Sequence, residues 1–309
     1  MRLCQSLWSL TTDVPPFIAI DQEGGRAHRL PPPFTHFPPP AEIGFNHEPA
    51  LAYRAGRAAA LELQLAGINV NFAPVLDVNS NPRNPVIGER SFGADPRNVT
   101  AFGAAWIEGT RHAGVIPCGK HFPGHGDTDR DSHFDLPRVH RDLAGLRQVE
   151  LAPFAHACRN GIESLMTAHV VYTALDPKFP ATLSRRIITG LLRGELGYDG
   201  VVFSDALEMK AISDTYGAED AALLALEAGV DVLLYCHDIA RIEPVFEFVH
   251  RRAEANGALR DRIEQSYARV MNLKGRYLKK FGGVPADALL KTLSELNHDR
   301  IVGQIQASL

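Results

Sequence analysis

Six short apolar runs recur along the chain: PFIAID (16–21), INVNFAPV (68–75), VIPCGKHF (115–122), SLMTAHVV (164–171), GVVFSDAL (200–207) and VDVLLYC (230–236). They are rich in Val, Ile and Phe and nearly continuous rather than alternating, which is the pattern of strands buried on both faces. Helix-like stretches separate them, such as PALAYRAGRAAALELQLAG (49–67) and NVTAFGAAWIEGTRHAG (98–114), and ALRDRIEQSYARVMNLKGRYLKKF (258–281) follows the last run. Strands alternating with helices predict a parallel sheet covered by helices. No glycine-rich phosphate loop follows any run, which argues against an open dinucleotide-binding sheet. The expected fold is therefore α/β, a TIM-type (β/α)8 barrel.

Composition bounds the rest. With 309 residues, 45% of them hydrophobic, the chain is long enough for one large domain or two small ones. The net charge of −4 is spread along the chain without a basic stripe, so no nucleic-acid partner is expected. Cys4, Cys118, Cys158 and Cys236 lie far apart and form no metal or redox spacing, and three of them sit in or beside apolar runs, as buried reduced thiols do. The N-terminus has no sustained apolar segment and no run approaches a membrane span. A soluble, cytoplasmic protein with no membrane partner is the expectation.

In a barrel of this kind chemistry gathers where strands end and loops begin. The first run ends in Asp21, Gln22 and Glu23, the second near Asp77, the third in Lys120 and His121, the fourth near His169 and the fifth in Ser204 and Asp205. Clustering ionisable groups at one end of five strands costs several kcal/mol per unpaired ion. A purely structural protein has no need of it, so the pattern predicts an active site at that face.

The segments IDQEGGRAHRL, NFAPVLDV, GERSFGADP, KHFPGHGDTDRDSH, MTAHVVY and FSDALEM, in this order, resemble the glycoside hydrolase family 3 barrel. More narrowly they resemble its single-domain bacterial β-N-acetylglucosaminidases. The resemblance runs from about residue 16 to about residue 240, and KHFPGHG followed by DSH is its most specific part. It implies a retaining glycosidase acting on a carbohydrate, with no cofactor and no metal. The substrate it implies is the terminal GlcNAc of muropeptides or related β-glycosides, released during cytoplasmic peptidoglycan recycling.

Retention needs a nucleophile on one face of the sugar and an acid/base beside the leaving oxygen. Asp205 ends an apolar run and precedes a helix-like stretch. It reads either as a nucleophile fixed at the barrel mouth or as a helix N-cap, and the resemblance favours the nucleophile. Asp131 stands two residues before His133, close enough to orient an imidazole whose ordinary pKa of about 6.5 suits proton transfer near neutrality. By resemblance His133 is the acid/base and Asp131 its partner on a mobile loop, with residues 123–126 as the hinge. The same resemblance makes Asp21, Arg29, Arg90, Lys120 and His121 substrate contacts. His125 reads as either loop packing or a secondary contact.

His121, His125, Asp131 and His133 are also zinc-ligand types. Pro123 and Gly124 break any helix that would put the first two on one face, so a metal-dependent barrel hydrolase is only an alternative. A β-glucosidase or an N-acetylglucosaminide phosphorylase of the same family is another, and a non-catalytic sugar-binding barrel a third. The family's barrel has two further strands before the DQEGG strand. The expectation is thus a barrel domain over 1–283 lacking its first two strands, with exposed sheet edges, followed by a tail of one or two surface helices over 284–309. A monomer or weak homodimer follows from those edges.

Overall fold

All six apolar runs form parallel strands of one sheet. The computed structural model describes residues 2–10, 13–132, 135–278 and 286–307. Its strands are β1 (Ala19–Ile20), β2 (Val70–Asn71), β3 (Ile116–Phe122), β4 (Arg138–Val139), β5 (Ser164–Thr167), β6 (Val171–Tyr172), β7 (Val201–Ala206) and β8 (Val232–Leu234). The main sheet runs β1-β2-β3-β5-β7-β8, with every neighbouring pair parallel. A doubly wound sheet reverses its order at a switch point. Here the order only increases, so the sheet grows in one direction, as a barrel wall does. β1 and β8 are its outer edges and do not pair with each other among the described residues.

The fourth run differs from the single strand expected over 164–171. Its first half is β5, whereas its second half is β6, which leaves the main sheet and pairs in parallel with β4. Between them Ala168 still donates its N–H to the Phe122 carbonyl at 2.8 Å. The chain then turns so that His169 is buried among polar partners rather than aligned in the ladder.

The helices begin and end where local chemistry dictates. The helix Pro49–Ala66 opens on a proline and stops at Gly67, whose φ of 88° is left-handed and whose N–H caps the carbonyls of Leu63 and Gln64. In the helix Pro96–His112 the Asp95 carboxylate caps the Arg97 N–H. Alternation along the strands divides the packing between two faces. Leu165 and Val202 point into a cluster with Phe154, Ile187 and Leu191. Met166, Val201 and Phe203 point the other way, joining Val70, Ile116 and Cys118.

On that second face the sheet meets the helix Gly257–Tyr277, which contributes Val270, Leu273 and Tyr277. The Tyr277 hydroxyl donates to Glu163 at 2.7 Å, beside the start of β5. The last helix of the barrel segment thus seals one end of the inner face.

The tail forms the two expected helices, Ala286–Leu296 and Asp299–Gln306. The second lies on the surface and docks through one face. Ile305 is fully buried with Phe37 and Trp106, and His298 meets the buried Glu62 at 2.8 Å. Among the described residues no helix is long and apolar enough to cross a membrane.

Candidate active site

The C-terminal ends of the strands enclose a cavity of about 400 Å³. Asp21, Arg29, Arg90, Lys120, His121, Asp131 and Asp205 all line it. His133 lies outside the described residues.

Every residue of β3 is buried, including Lys120. An ammonium in such a place costs several kcal/mol unless it is paired. Its Nζ lies 2.5 Å from an Asp21 oxygen and 2.7 Å from Glu23 Oε1. Glu23 in turn accepts both Nε and Nη2 of Arg90 at 2.8 Å, a bidentate pair. Burial alone pushes the Glu23 carboxyl up, but Lys120 and Arg90 together hold it far below the usual carboxylate range. Arg90 spends a third nitrogen on the Val86 carbonyl at 3.3 Å. Of its five N–H groups two remain for a ligand, so Arg90 is as much a support for Glu23 as a candidate contact. Asp21 is half-buried and Arg29 is exposed at the rim.

His121 is set by Asp77, a residue whose strand-end position alone gave it no role. Asp77 is fully buried, and its carboxylate accepts the backbone N–H groups of His121 at 3.1 Å and His125 at 2.6 Å. Its second oxygen lies 2.7 Å from His121 Nδ1. That bond assigns the Nδ1 proton and leaves Nε2 as the free ring atom. Desolvation raises the Asp77 pKa, but His121 and His125 outweigh it and the net shift is downward.

His125 resolves as a loop-packing residue on the cavity wall. Its Nδ1 lies 2.9 Å from Thr128 Oγ1 and its Nε2 lies 3.1 Å from Ser132 Oγ. Burial, followed by the neighbouring His121, pushes its pKa down to about 4, so it is neutral at pH 7. With both ring nitrogens engaged, it is a poor metal ligand. Among the described residues no three His, Cys, Asp or Glu side chains converge as a metal site. Through Ser132 this histidine fixes the loop that carries Asp131. The Ser132 carbonyl also accepts the Ala211 N–H at 3.3 Å, docking the loop against the segment that follows β7.

Gly126 lets the loop start there. A Cβ at this position would lie 1.6 Å from the Val78 carbonyl oxygen, so no side chain fits.

Asp205 lies within β7, and the short helix that follows begins at Lys210 with Met209 as its cap residue. The N-cap reading of Asp205 is therefore wrong: its carboxylate sits on strand backbone and accepts the N–H of its neighbour Ala206 at 2.8 Å. Burial raises its pKa, but His169, His121, that N–H and Lys120 more than offset it, leaving the carboxyl below its ordinary value. His169 itself lies 2.8 Å from Thr182 Oγ1 and 2.9 Å from the Ala206 carbonyl, which braces the end of β7.

Two other glutamates near the mouth are committed elsewhere. Glu23 is locked as described, and Glu208 accepts the N–H groups of Cys236, His237 and Asp238. Residues Glu23, Asp77 and His169 were visible as strand-end polar groups, yet nothing in the sequence pairs them with Arg90, His121 and the Ala206 carbonyl.

The family model described as the glycosyl hydrolase family 3 N terminal domain matches residues 4–273. The chain belongs to glycoside hydrolase family 3. It is 42% identical over 285 residues to the β-hexosaminidase A of Pseudoalteromonas piscicida, covering 85% of this chain and 48% of that protein. It is 40% identical over 243 residues to the β-hexosaminidase of Pseudomonas aeruginosa (strain LESB58), covering 78% of this chain and 72% of that one. Among solved structures it is similar to the family 3 β-N-acetylglucosaminidase from Paenibacillus sp. str. FPU-7. There the identity is 41% and the TM-score 0.84, over 94% of this chain and 57% of that chain. The chain thus spans about half the length of some family 3 relatives. Its six-stranded parallel sheet is part of the family's (β/α)8 barrel.

Proposed function

We propose that this chain is a retaining, exo-acting β-N-acetylglucosaminidase, with Asp205 as nucleophile and a His133/Asp131 dyad as acid/base. The observation that carries the reading is the state of the carboxylates around one cavity. Asp205 is fixed at a strand end and kept ionised by the positive field of its neighbours. Glu23 and Glu208 are both held by donors and have lowered pKa values, so neither suits a proton donor. The acid role falls, by the family resemblance, to His133 on the loop that carries Asp131. The names of the relatives support the sugar.

In this reading the Asp205 carboxylate attacks the anomeric carbon while His133, oriented by Asp131, protonates the departing oxygen. The glycosyl–Asp205 ester forms as the glycosidic bond breaks. Water then attacks the anomeric carbon, His133 takes the water's proton, and the bond from that carbon to the Asp205 oxygen breaks to release the carboxylate. Asp21, Lys120 and His121 hold the sugar hydroxyls, with Arg29 at the rim and Arg90, anchored on Glu23, offering its remaining N–H groups. Release of GlcNAc from muropeptides in the cytoplasm, by a monomer or weak homodimer, completes the proposal.

The test is hydrolysis of p-nitrophenyl β-sugars (GlcNAc, glucose and xylose) with and without EDTA. Selective release from GlcNAc, indifferent to EDTA, is expected. Activity on glucose alone makes the chain a β-glucosidase. Loss with EDTA and recovery with zinc favours metal-dependent hydrolysis, and sugar 1-phosphate formed in phosphate buffer reveals a phosphorylase.

A further inference from the structure

A second, larger cavity of about 1040 Å³ lies between helices outside the sheet. Its walls are the π-helix Arg186–Glu195 and the helix Gly257–Tyr277, and none of its lining residues belongs to the candidate active site. Gly229 on its wall precedes β8, and Arg193 binds the carbonyls of Tyr198 and Gly200 just before β7. It therefore runs along the helices outside the sheet, from the segment after β6 to the N-terminal ends of β7 and β8.

Spacing in the sequence builds its charge. Arg185, Thr189 and Arg193 recur every four residues along the π-helical segment, whose wide i→i+5 turns keep such residues on one side. Arg262 and Arg269 stand seven apart, two turns of the opposing α-helix. One buried carboxylate, Asp231, serves three of these guanidinium groups, with Arg193 at 2.6 Å, Arg262 at 2.8 Å and Arg269 at 3.5 Å. Arg269 also pairs with Asp199, which is exposed and worth little. Burial is the main cause that drives the Arg193 pKa down; Asp231 opposes it, and the nearby Arg269 and Arg262 add to it.

The other acids do not restore balance. Asp176 accepts from Ser184 Oγ and from the N–H groups of Lys178 and Phe179, while Glu227 lines the opposite rim. Arg185 and Arg186 form no ion pair among the described residues, and Arg262 Nη1 is shielded from solvent without a partner. Phe179, Leu183, Leu224 and Leu259 supply an apolar side to the same space.

We propose that this cavity is a binding site for a phosphate-bearing small molecule. Guanidinium groups are weakly hydrated and match phosphate oxygens bidentately, so an oxyanion here offsets the desolvation of several arginines at once. The apolar side and the volume suit a ligand with an organic body rather than a bare ion.

Calorimetric titration of the full chain with inorganic phosphate and pyrophosphate, at constant ionic strength, tests this. Saturable binding is expected, tighter for pyrophosphate. The Arg185→Ser/Arg186→Ser pair is exposed and keeps the fold, as its unliganded melting temperature will show; it should weaken binding about tenfold or more, a loss of about 1.4 kcal/mol. The Arg262→Gln variant should do the same, while Arg29→Ser at the active-site rim should leave affinity unchanged. No saturation at millimolar pyrophosphate overturns the proposal. Equal affinity in the Arg185/Arg186 variant reduces the effect to general screening and also overturns it. Loss of affinity in Arg29→Ser places the anion in the other cavity and overturns it as well.

Discussion

Replacing Asp77 with asparagine separates the positioning of His121 from the bulk of the side chain. The carboxylate accepts three N–H groups, at 3.1, 2.6 and 2.7 Å. Asparagine keeps one oxygen for the two backbone donors but turns an NH2 toward His121 Nδ1. The imidazole must then surrender its Nδ1 proton and carry it on Nε2, or lose the contact. A charge-assisted bond worth about 1.5–3 kcal/mol gives way to a neutral one worth about 0.5–1.5. The net loss is about 1–2 kcal/mol, a fall in melting temperature of roughly 2–6 °C for a domain of this size.

The cavity-facing nitrogen changes from acceptor to donor. A sugar hydroxyl can rotate to answer part of that change, so kcat/KM for p-nitrophenyl β-GlcNAc should fall about 10- to 100-fold. The pH dependence has a definite sign. Asp77 has a folded pKa below its ordinary value, so its stabilisation is present above the unfolded pKa and lost as pH falls through the folded one. The melting curves of wild type and Asp77→Asn should therefore differ at pH 7 and converge in acid. Unchanged stability and unchanged kinetics at pH 7 would refute the claim that Asp77 sets His121.

Asp205→Ala should abolish turnover while shifting the melting temperature little, because the carboxylate caps no helix; a slow fluorinated substrate should label Asp205, and label on another carboxylate removes it from its role. In His133→Ala, substrates with poor leaving groups should lose far more rate than activated phenols, with Asp131→Asn a milder version, and equal losses would sink the acid/base assignment. Glu150 is fully buried beneath the loop, and burial raises its pKa from 4.5 to about 7 despite Arg141. The folded state then holds its proton longer than the unfolded one, so stability drains away as pH rises between those values. Glu150→Gln should be more stable than wild type by about 2–3 kcal/mol above pH 7 and indistinguishable near pH 4, read from denaturant melts. Gly126→Ala drives a methyl into the Val78 carbonyl and should lower both stability and activity, while the same change at Gly275, where nothing lies within 4 Å, leaves activity intact.

The apolar runs by themselves determined six strands, and the four inner ones, β2, β3, β5 and β7, are buried because a strand covered on both faces needs nearly every side chain to be apolar. They also determined that Asp21, Lys120, His121 and Asp205 share one end of the sheet, since polarity could enter only where each run stopped. Periodicity says that a face is buried, but not what buries it. Only the tertiary structure put the helix Gly257–Tyr277 against the inner face, and Ile305 of the tail beside Trp106. Only it split the run 164–171 between two sheets, through His169's bonds to Thr182 and the Ala206 carbonyl. The supports of the site were decided there too. Glu23 meets Arg90 across 67 positions of sequence, and Asp77 meets His121 across 44. Those pairs form because a buried charge must find its partner in space, and the chain's local pattern carries no record of where that partner lies.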